Sequence, residues 1–312
     1  MNVVLIVLTF QRPTGLRRAI DAIGRLETPN DGSVSLEAVV VDNDVAGSAR
    51  AVVEVAATDF PIPLDYVIEP VRGIPQARNR AVAIATERGA DLIGFIDDDE
   101  EPQSDWLARM LEVRERTGGD VVAGRYQPVF ERPPPRWMVD GRFFEPVRHR
   151  TGEVIPWIHA RTSGVLISTS KLPAGGQPFD ERLQLTGGSD TDFFRRIQRD
   201  GGKIVWCDEG VVIEHVPESR SSWRWLVKRK YRVGNNQSLF LLYFENPSTL
   251  RKLRRLGGGT AGVISGFGLM LVGAVKGRAA LVRGARRAAE GAGGIAGILG
   301  LQYREYQHIH GQ

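Results

Sequence analysis

Apolar runs of strand length alternate with helix-like segments over the first 120 residues. The runs predict strands at residues 3–8, 39–41, 64–68 and 92–96. Helical spacing predicts helices at 74–88 and 106–116, and one more whose apolar face carries Leu16, Ala19, Ile20, Ile23 and Leu26. Near-continuous apolar strands joined by helices are typical of a mostly parallel sheet covered on both faces, so the predicted fold class is α/β.

The pattern is less regular after residue 120. Further strands are predicted at 121–126, 165–167, 203–206 and 211–215. The proline-rich stretch 128–137 predicts a stiff, extended segment rather than a helix. A helix is predicted to begin at Ser189, with Asp192 completing a capping box.

A change in composition separates residues 1–219, the predicted α/β domain, from residues 220–312, a glycine-rich helical extension. Within the extension, residues 256–275 carry no charged side chain, and 20 residues are enough to cross a bilayer. Their many glycines favour a helix that lies at a membrane interface or packs on the core over one that spans.

Charge is distributed unevenly between the two parts. Residues 1–219 hold 25 Lys and Arg against 34 Asp and Glu, whereas residues 220–312 hold 16 against 3. The acidic part is expected to attract a cation, and the basic part phosphates or an anionic membrane. The single cysteine, Cys207, cannot form an internal disulfide, and the first residues lack a secretory signal pattern, so we expect a cytoplasmic protein.

Three adjacent carboxylates, Asp97, Asp98 and Asp99, follow the apolar run 92–96. Because like charges repel, the cluster predicts a counter-charge, and Mg²⁺ or Mn²⁺ shared with a phosphate suits carboxylate oxygens. Asp42 also follows a predicted strand, and ligands bind at the carboxyl ends of parallel strands. A solvated acidic turn is the alternative.

Several motifs, in order, resemble those of a family 2 glycosyltransferase of the GT-A fold, closest in character to the succinoglycan-type bacterial exopolysaccharide glucosyltransferases. The resemblance covers residues 1–235 and depends on segments 8–13, 40–44, 73–81, 95–100 and 188–193, followed by His215. It implies that residues 1–219 bind a nucleotide sugar, with UDP the favoured nucleotide, and catalyse sugar transfer.

The resemblance also implies roles for single residues. The nucleotide would be bound by Thr9, Phe10, Asp42, Arg78, Asp97 and Asp98, and the metal by Asp97, Asp99 and His215. Asp190 would be the catalytic base that drives an inverting displacement, with Asp192 as the competing base. The family's usual Glu before the base is replaced here by Ser189, which puts the support of Asp190 in doubt.

The acceptor is expected to be a lipid-linked or surface-polysaccharide hydroxyl at the cytoplasmic face of the membrane. Asp192, Trp157, Tyr231 and Arg232 are candidates for contact with the acceptor or the diphosphate. We expect no nucleic-acid partner, because the acidic part carries no recognisable nucleic-acid motif.

Other interpretations remain open at this point. Asp190 could simply stabilise a helix N-terminus, His215 could be an ordinary residue at a strand end, and Arg78 a surface helix residue. A sugar-nucleotide nucleotidyltransferase is a second class, but residues 9–13 lack its glycine-rich phosphate loop. A catalytically inactive nucleotide-sugar or membrane-binding module is a third, supported by Ser189.

Overall fold

A twisted eight-stranded sheet forms the centre of the molecule. The computed structural model describes residues 1–29, 32–173, 177–184 and 187–303. The strands are β1 (Asn2–Thr9), β2 (Ser35–Asp42), β3 (Leu64–Ile68), β4 (Leu92–Asp97), β5 (Glu100–Pro102), β6 (Val121–Phe130), β7 (Val165–Ser168) and β8 (Ile204–Val216). Their order across the sheet is β3-β2-β1-β4-β7-β6-β8-β5.

The first four strands are parallel and end together at one edge. In the register, Thr9 pairs with Asp42, and Leu8 pairs with Asp97, so the acidic ends of β2 and β4 flank the end of β1. The other half of the sheet is mixed, because β7 runs antiparallel to both β4 and β6. Parallel pairing therefore dominates where the sequence predicted it, and this edge is where a ligand site is expected.

Nine α-helices are present among the described residues. They are α1 (Pro13–Ile23), α2 (Arg50–Ala57), α3 (Ile74–Glu87), α4 (Trp106–Thr117), α5 (Arg136–Asp140), α6 (Ser189–Arg199), α7 (Trp223–Phe244), α8 (Thr249–Lys276) and α9 (Arg278–Ile298). Helices α1 and α4 bury their apolar residues against one face of the sheet, and α3 and α6 against the other. This double cover explains why the central strands are apolar on both faces.

Three local predictions differ from the structure. The strands predicted at 203–206 and 211–215 form one strand, β8, because a bulge opposite Gly124 absorbs the intervening residues. Strand β6 extends into the start of the proline-rich stretch and ends at Phe130. Helix α5 begins near the end of that stretch, at Arg136. The capping box predicted at Ser189 is wrong, since Gly188, with a positive φ of 92°, is the N-cap of α6.

The helical extension packs on the sheet-bearing part through a small apolar cluster. Met138 and Phe143 from the α5 region meet Leu226 of α7 and Val282 of α9 there. The predicted boundary at residue 219 falls in a short 3₁₀ turn, Glu218–Arg220, that follows β8. Residues 304–312 of the predicted extension lie outside the described residues.

Candidate active site

The end of β4 gathers carboxylates that are held by arginines from distant segments. Asp98 is buried and accepts hydrogen bonds from the Thr9 hydroxyl at 2.9 Å and from Arg12 at 3.0 Å. Asp99 forms ion pairs with Arg12 at 3.5 Å and with Arg220 at 3.3 Å. The loop after β1 and the start of the extension therefore converge on the same acidic turn.

Asp97 carries a charge that its surroundings compensate poorly. Burial and the neighbouring Asp99 raise the pKa of Asp97 to about 7, although Arg78 and Arg161 act in the opposite direction. Burial and Asp97 also raise the pKa of Glu100, which accepts a hydrogen bond from Ser163. An additional positive charge at this edge would relieve the repulsion and stabilise both carboxylates in their ionised forms.

The acidic turn supplies some of the oxygen ligands that a hard divalent cation needs. Asp97 and Asp99 supply carboxylate oxygens, and Mg²⁺ is commonly held by one or two carboxylates together with substrate phosphates. His215 Nε2 instead donates a hydrogen bond to Glu101, which also faces Arg18. Over the described ranges, no group of three potential ligand side chains is preassembled. The residues fit a cation that is shared with a diphosphate rather than one enclosed by protein.

Asp42, a predicted nucleotide ligand, is fully buried and organises the loop after β2. Its carboxylate accepts hydrogen bonds from the Tyr66 hydroxyl at 2.7 Å and from the Ala49 N–H at 2.9 Å. Burial and this contact with Asp42 raise the pKa of Tyr66. The Arg72 guanidinium lies over the Phe10 ring, 4.7 Å from the centre of that ring. Asp42 thus fixes the loop after β2, and Phe10 is half-buried.

Arg78 connects the acidic turn to the start of α6. Its Nη1 donates a hydrogen bond to the Ser189 hydroxyl at 3.0 Å, and its guanidinium lies 5.4 Å from the Phe179 ring centre. Its Nε has no hydrogen-bond partner among the described residues. Arg78 is buried, so the structure does not support the interpretation of it as a surface residue. Ser189, the departure from the family pattern, is the partner that fixes this arginine.

Asp190 and Asp192 lie in different surroundings within the first turn of α6. Asp190 is half-buried and lines a cavity of about 60 Å³ whose other walls include Arg78, Ser189 and Gly188. Asp192 is buried and forms ion pairs with Arg195 at 3.1 Å and Arg196 at 2.9 Å. Asp192 also lines a cavity, of about 580 Å³, so cavity position does not separate the two residues. They differ in that both carboxylate oxygens of Asp192 are engaged by arginines.

Besides Asp192, the three other predicted acceptor or diphosphate contacts are spread over the structure. Trp157 lies in a 3₁₀ turn beside α6, where its backbone N–H donates to the Gln198 side chain. Tyr231 lies against α9, where its ring meets that of Tyr303 edge to face. Arg232 follows it on α7. None of these placements tests the predicted contacts.

Sequence reasoning missed several arginines of the site. Arg161 forms an ion pair with Glu214 at 3.4 Å and lies 3.7 Å from Glu100. Arg229 on α7 is exposed and lies near Arg161, and the surrounding protein together with that arginine lowers its pKa. Arg12 stands within a recognised motif, but Arg161, Arg220 and Arg229 lie far along the chain from the acids and give no local signal.

Comparison with known proteins defines the class. The family model described as Glycosyl transferase family 2 matches residues 4–164, about half of the chain. The chain therefore belongs to glycosyl transferase family 2, and it is a glycosyltransferase that uses a nucleotide sugar. This assignment favours that activity over the nucleotidyltransferase and binding-module interpretations.

A curated relative is similar over nearly the whole chain. It is the succinoglycan biosynthesis protein ExoM of Rhizobium meliloti (strain 1021), 34% identical over 300 residues, which cover 95% of this chain and 92% of ExoM.

Solved structures of S. aureus TarS share the fold. TarS 1-349 in complex with UDP aligns with a TM-score of 0.54 at 14% identity, and its complex with UDP-GlcNAc with 0.52 at 15%. Each alignment covers 93% of this chain and at least 90% of that one. Against the longer TarS chain, this protein spans 43% of the length. At such identity the likeness establishes the GT-A fold, as the sequence predicted.

Proposed function

We propose that this enzyme transfers one sugar from a UDP-sugar to a hydroxyl group of a lipid-linked or surface-polysaccharide acceptor, with inversion at the anomeric carbon. The observation that carries the proposal is the link made by Arg78. This residue bonds to Ser189 beside Asp190 and also lies close enough to Asp97 to lower its pKa. A donor seated at the acidic turn would therefore present its sugar toward Asp190.

The leaving diphosphate would meet positive charge at this edge of the sheet. Arg12, Arg161 and Arg220 already neutralise carboxylates there, and Arg229 adds a guanidinium from α7. Mg²⁺ or Mn²⁺ bound with Asp97 and Asp99 would supply further charge neutralisation for the departing nucleotide. The preference for UDP is supported by the shared fold of TarS, which was solved with UDP and UDP-GlcNAc.

Asp190 would act as the general base. Its carboxylate would take the proton of the acceptor hydroxyl while that oxygen bonds to the anomeric carbon and the bond to the nucleoside diphosphate breaks. One displacement with one base gives inversion, whereas retaining hydrolases use two carboxylates about 5 Å apart. The acceptor class is supported by the likeness to ExoM, whose name places it in succinoglycan biosynthesis. We place the reaction in the cytoplasm, at the inner face of the membrane.

Replacement of the base tests this proposal. Asp190→Asn keeps the shape of the side chain but removes the proton acceptor, so we expect transfer to fall by about 100-fold or more while donor binding is unchanged. Asp200→Asn, at the exposed end of the same helix, is the matched control. Transfer is measured as nucleotide release from UDP-sugars in the presence of lipid-linked acceptors, and donor binding as thermal stabilisation. Retained transfer in Asp190→Asn would contradict the proposal.

A further inference from the structure

Helix α8 exposes large apolar side chains along one face. Six large side chains are between 57% and 90% exposed: Leu250, Leu253, Ile264, Phe267, Leu271 and Val275. At 3.6 residues per turn they fall within an arc of about 100° and extend over about 38 Å of helix. Helix α8 is long and apolar enough to cross a membrane by length and composition, since an 18-residue window within it has a mean hydropathy of 1.6 and is only 17% buried. Soluble proteins rarely expose an apolar strip of this size without a partner.

The opposite face of α8 is locked to α9 by glycine. A Cβ atom on Gly266 would lie 2.4 Å from the Ala288 backbone nitrogen, and one on Gly273 would lie 2.4 Å from that of Leu281. On α9, a Cβ atom on Gly291 would lie 2.4 Å from the Gly259 carbonyl oxygen. These contacts hold the two backbones close together along most of their length, so the apolar face is presented rigidly outward.

The same packing decides between a spanning helix and one that lies on a membrane. Arg287 of α9 donates a hydrogen bond to the Ser265 hydroxyl at 2.6 Å, at the middle of the uncharged stretch of α8. If α8 crossed a bilayer, Arg287 would be carried to its centre, where a charged side chain is costly. Helix α9 is also fixed to the sheet-bearing part, since Val282 packs in the cluster with Met138. A helix that lies in the membrane plane avoids both conflicts.

Charge indicates which surface would cover the apolar face. Lys252 and Arg254 precede the uncharged stretch, and Lys276 and Arg278 follow it. Apolar residues flanked by basic ones suit the boundary between the acyl chains and the headgroups of an anionic bilayer. A face of a self-associating protein would not require this basic border.

We propose that α8 seats the enzyme in the plane of a bilayer containing anionic lipids, with Ile264, Phe267, Leu271 and Val275 among the acyl chains and α9 on the side of the protein. The inference deepens the proposed function, because it names the surface on which a lipid-linked acceptor would be presented. It is tested without donor or acceptor, so its failure is distinguishable from a failure of sugar transfer.

The experiment is co-sedimentation of the full-length protein with preformed vesicles at low salt. We expect binding to phosphatidylcholine vesicles that contain about one third phosphatidylglycerol, and weaker binding to phosphatidylcholine alone. The double variant Phe267→Ser, Leu271→Ser should lower the affinity by about tenfold or more, because two inserted side chains are lost. The matched control replaces Val45 and Val55, which are equally exposed on the sheet-bearing part, by Ser and should bind as the wild type does.

Depth of insertion is measured with Phe267→Trp. In-plane seating predicts that its fluorescence is quenched by lipids labelled near the headgroups and that alkaline carbonate releases the bound protein. Quenching at the bilayer centre with resistance to carbonate would instead show a spanning helix and overturn the proposal. Absence of binding to anionic vesicles would also overturn the proposal. So would the finding that the wild type is a dimer, if the double variant abolishes the dimer but binds vesicles as the wild type does.

Discussion

Ser189 shows how a single departure from a family pattern is accommodated. Where the family usually has Glu, the Ser189 hydroxyl accepts a hydrogen bond from the buried Arg78. A neutral partner leaves the positive charge of Arg78 available to lower the pKa of Asp97. Ser189 therefore links the acidic turn with the helix that carries Asp190, rather than capping that helix as its sequence context predicted.

The raised pKa of Asp97 predicts a specific pH dependence of stability. Because the folded protein holds this proton up to about pH 7, and an ordinary Asp releases it near pH 4, the free energy of unfolding should fall as pH rises through that window. In the presence of a chelator, Asp97→Asn should therefore raise the melting temperature by about 2 °C or more at pH 8 and by less at pH 5.

The control for this measurement is Asp59→Asn, which alters an exposed carboxylate on a surface turn. Its melting temperature should follow that of the wild type at every pH. A uniform destabilisation by Asp97→Asn from pH 5 to pH 8 would show that Asp97 is ionised in the folded protein and that neighbouring positive charges stabilise it. That result would contradict a raised pKa of Asp97.

At the scale of elements, strand β4 was predictable and strand β5 was not. The run Leu92–Ile96 is apolar throughout because both faces of a central parallel strand are covered. Strand β5 has three residues, Glu100–Pro102, and forms only because β8 supplies an antiparallel partner from more than 100 residues away. Local patterns carry no information about such pairing. Helix α2 was missed for a related reason, since Val53 is its one fully buried residue.

The close contact of α8 and α9 predicts opposite effects for two glycines on the same helix. Gly266→Ala places a methyl group against the backbone of Ala288, so we expect a loss of about 1–3 kcal/mol in the free energy of unfolding. Gly268→Ala meets no atom within 4 Å and should stabilise by up to about 1 kcal/mol through helix propensity. Both changes are measured by denaturant unfolding. Equal effects of the two substitutions would mean that the helices do not pack as described.

At the scale of the whole molecule, the extension completes the site. The sheet-bearing part is acidic and the extension basic. Arg220 pairs with Asp99 after β4, and Arg229 lies near Arg161 and Glu214. The carboxylates after β4 could be predicted because they are adjacent in the sequence, after a recognisable strand. The arginines could not, because Arg220 is placed by the turn after β8 and Arg229 by the packing of α7 against the core through Leu226.

This coupling predicts that a residue of the extension governs donor affinity. Arg229→Gln removes a guanidinium beside Arg161, and we expect UDP to bind about tenfold more weakly, as for the loss of one charged contact. Arg224→Gln, an exposed arginine five residues earlier on the same helix, is the matched control and should leave affinity unchanged. Isothermal titration measures both. Equal affinity for UDP in wild type and Arg229→Gln would place the diphosphate away from α7.

The central claim is that a nucleotide sugar binds at the acidic turn together with a divalent cation. The most direct measurement is calorimetric titration of UDP into wild type and Asp99→Asn, each with Mn²⁺ and with a chelator. We expect wild type to bind UDP at least about tenfold more tightly with Mn²⁺, and Asp99→Asn to lose this difference. Binding of UDP that is equally tight in all four titrations would contradict it.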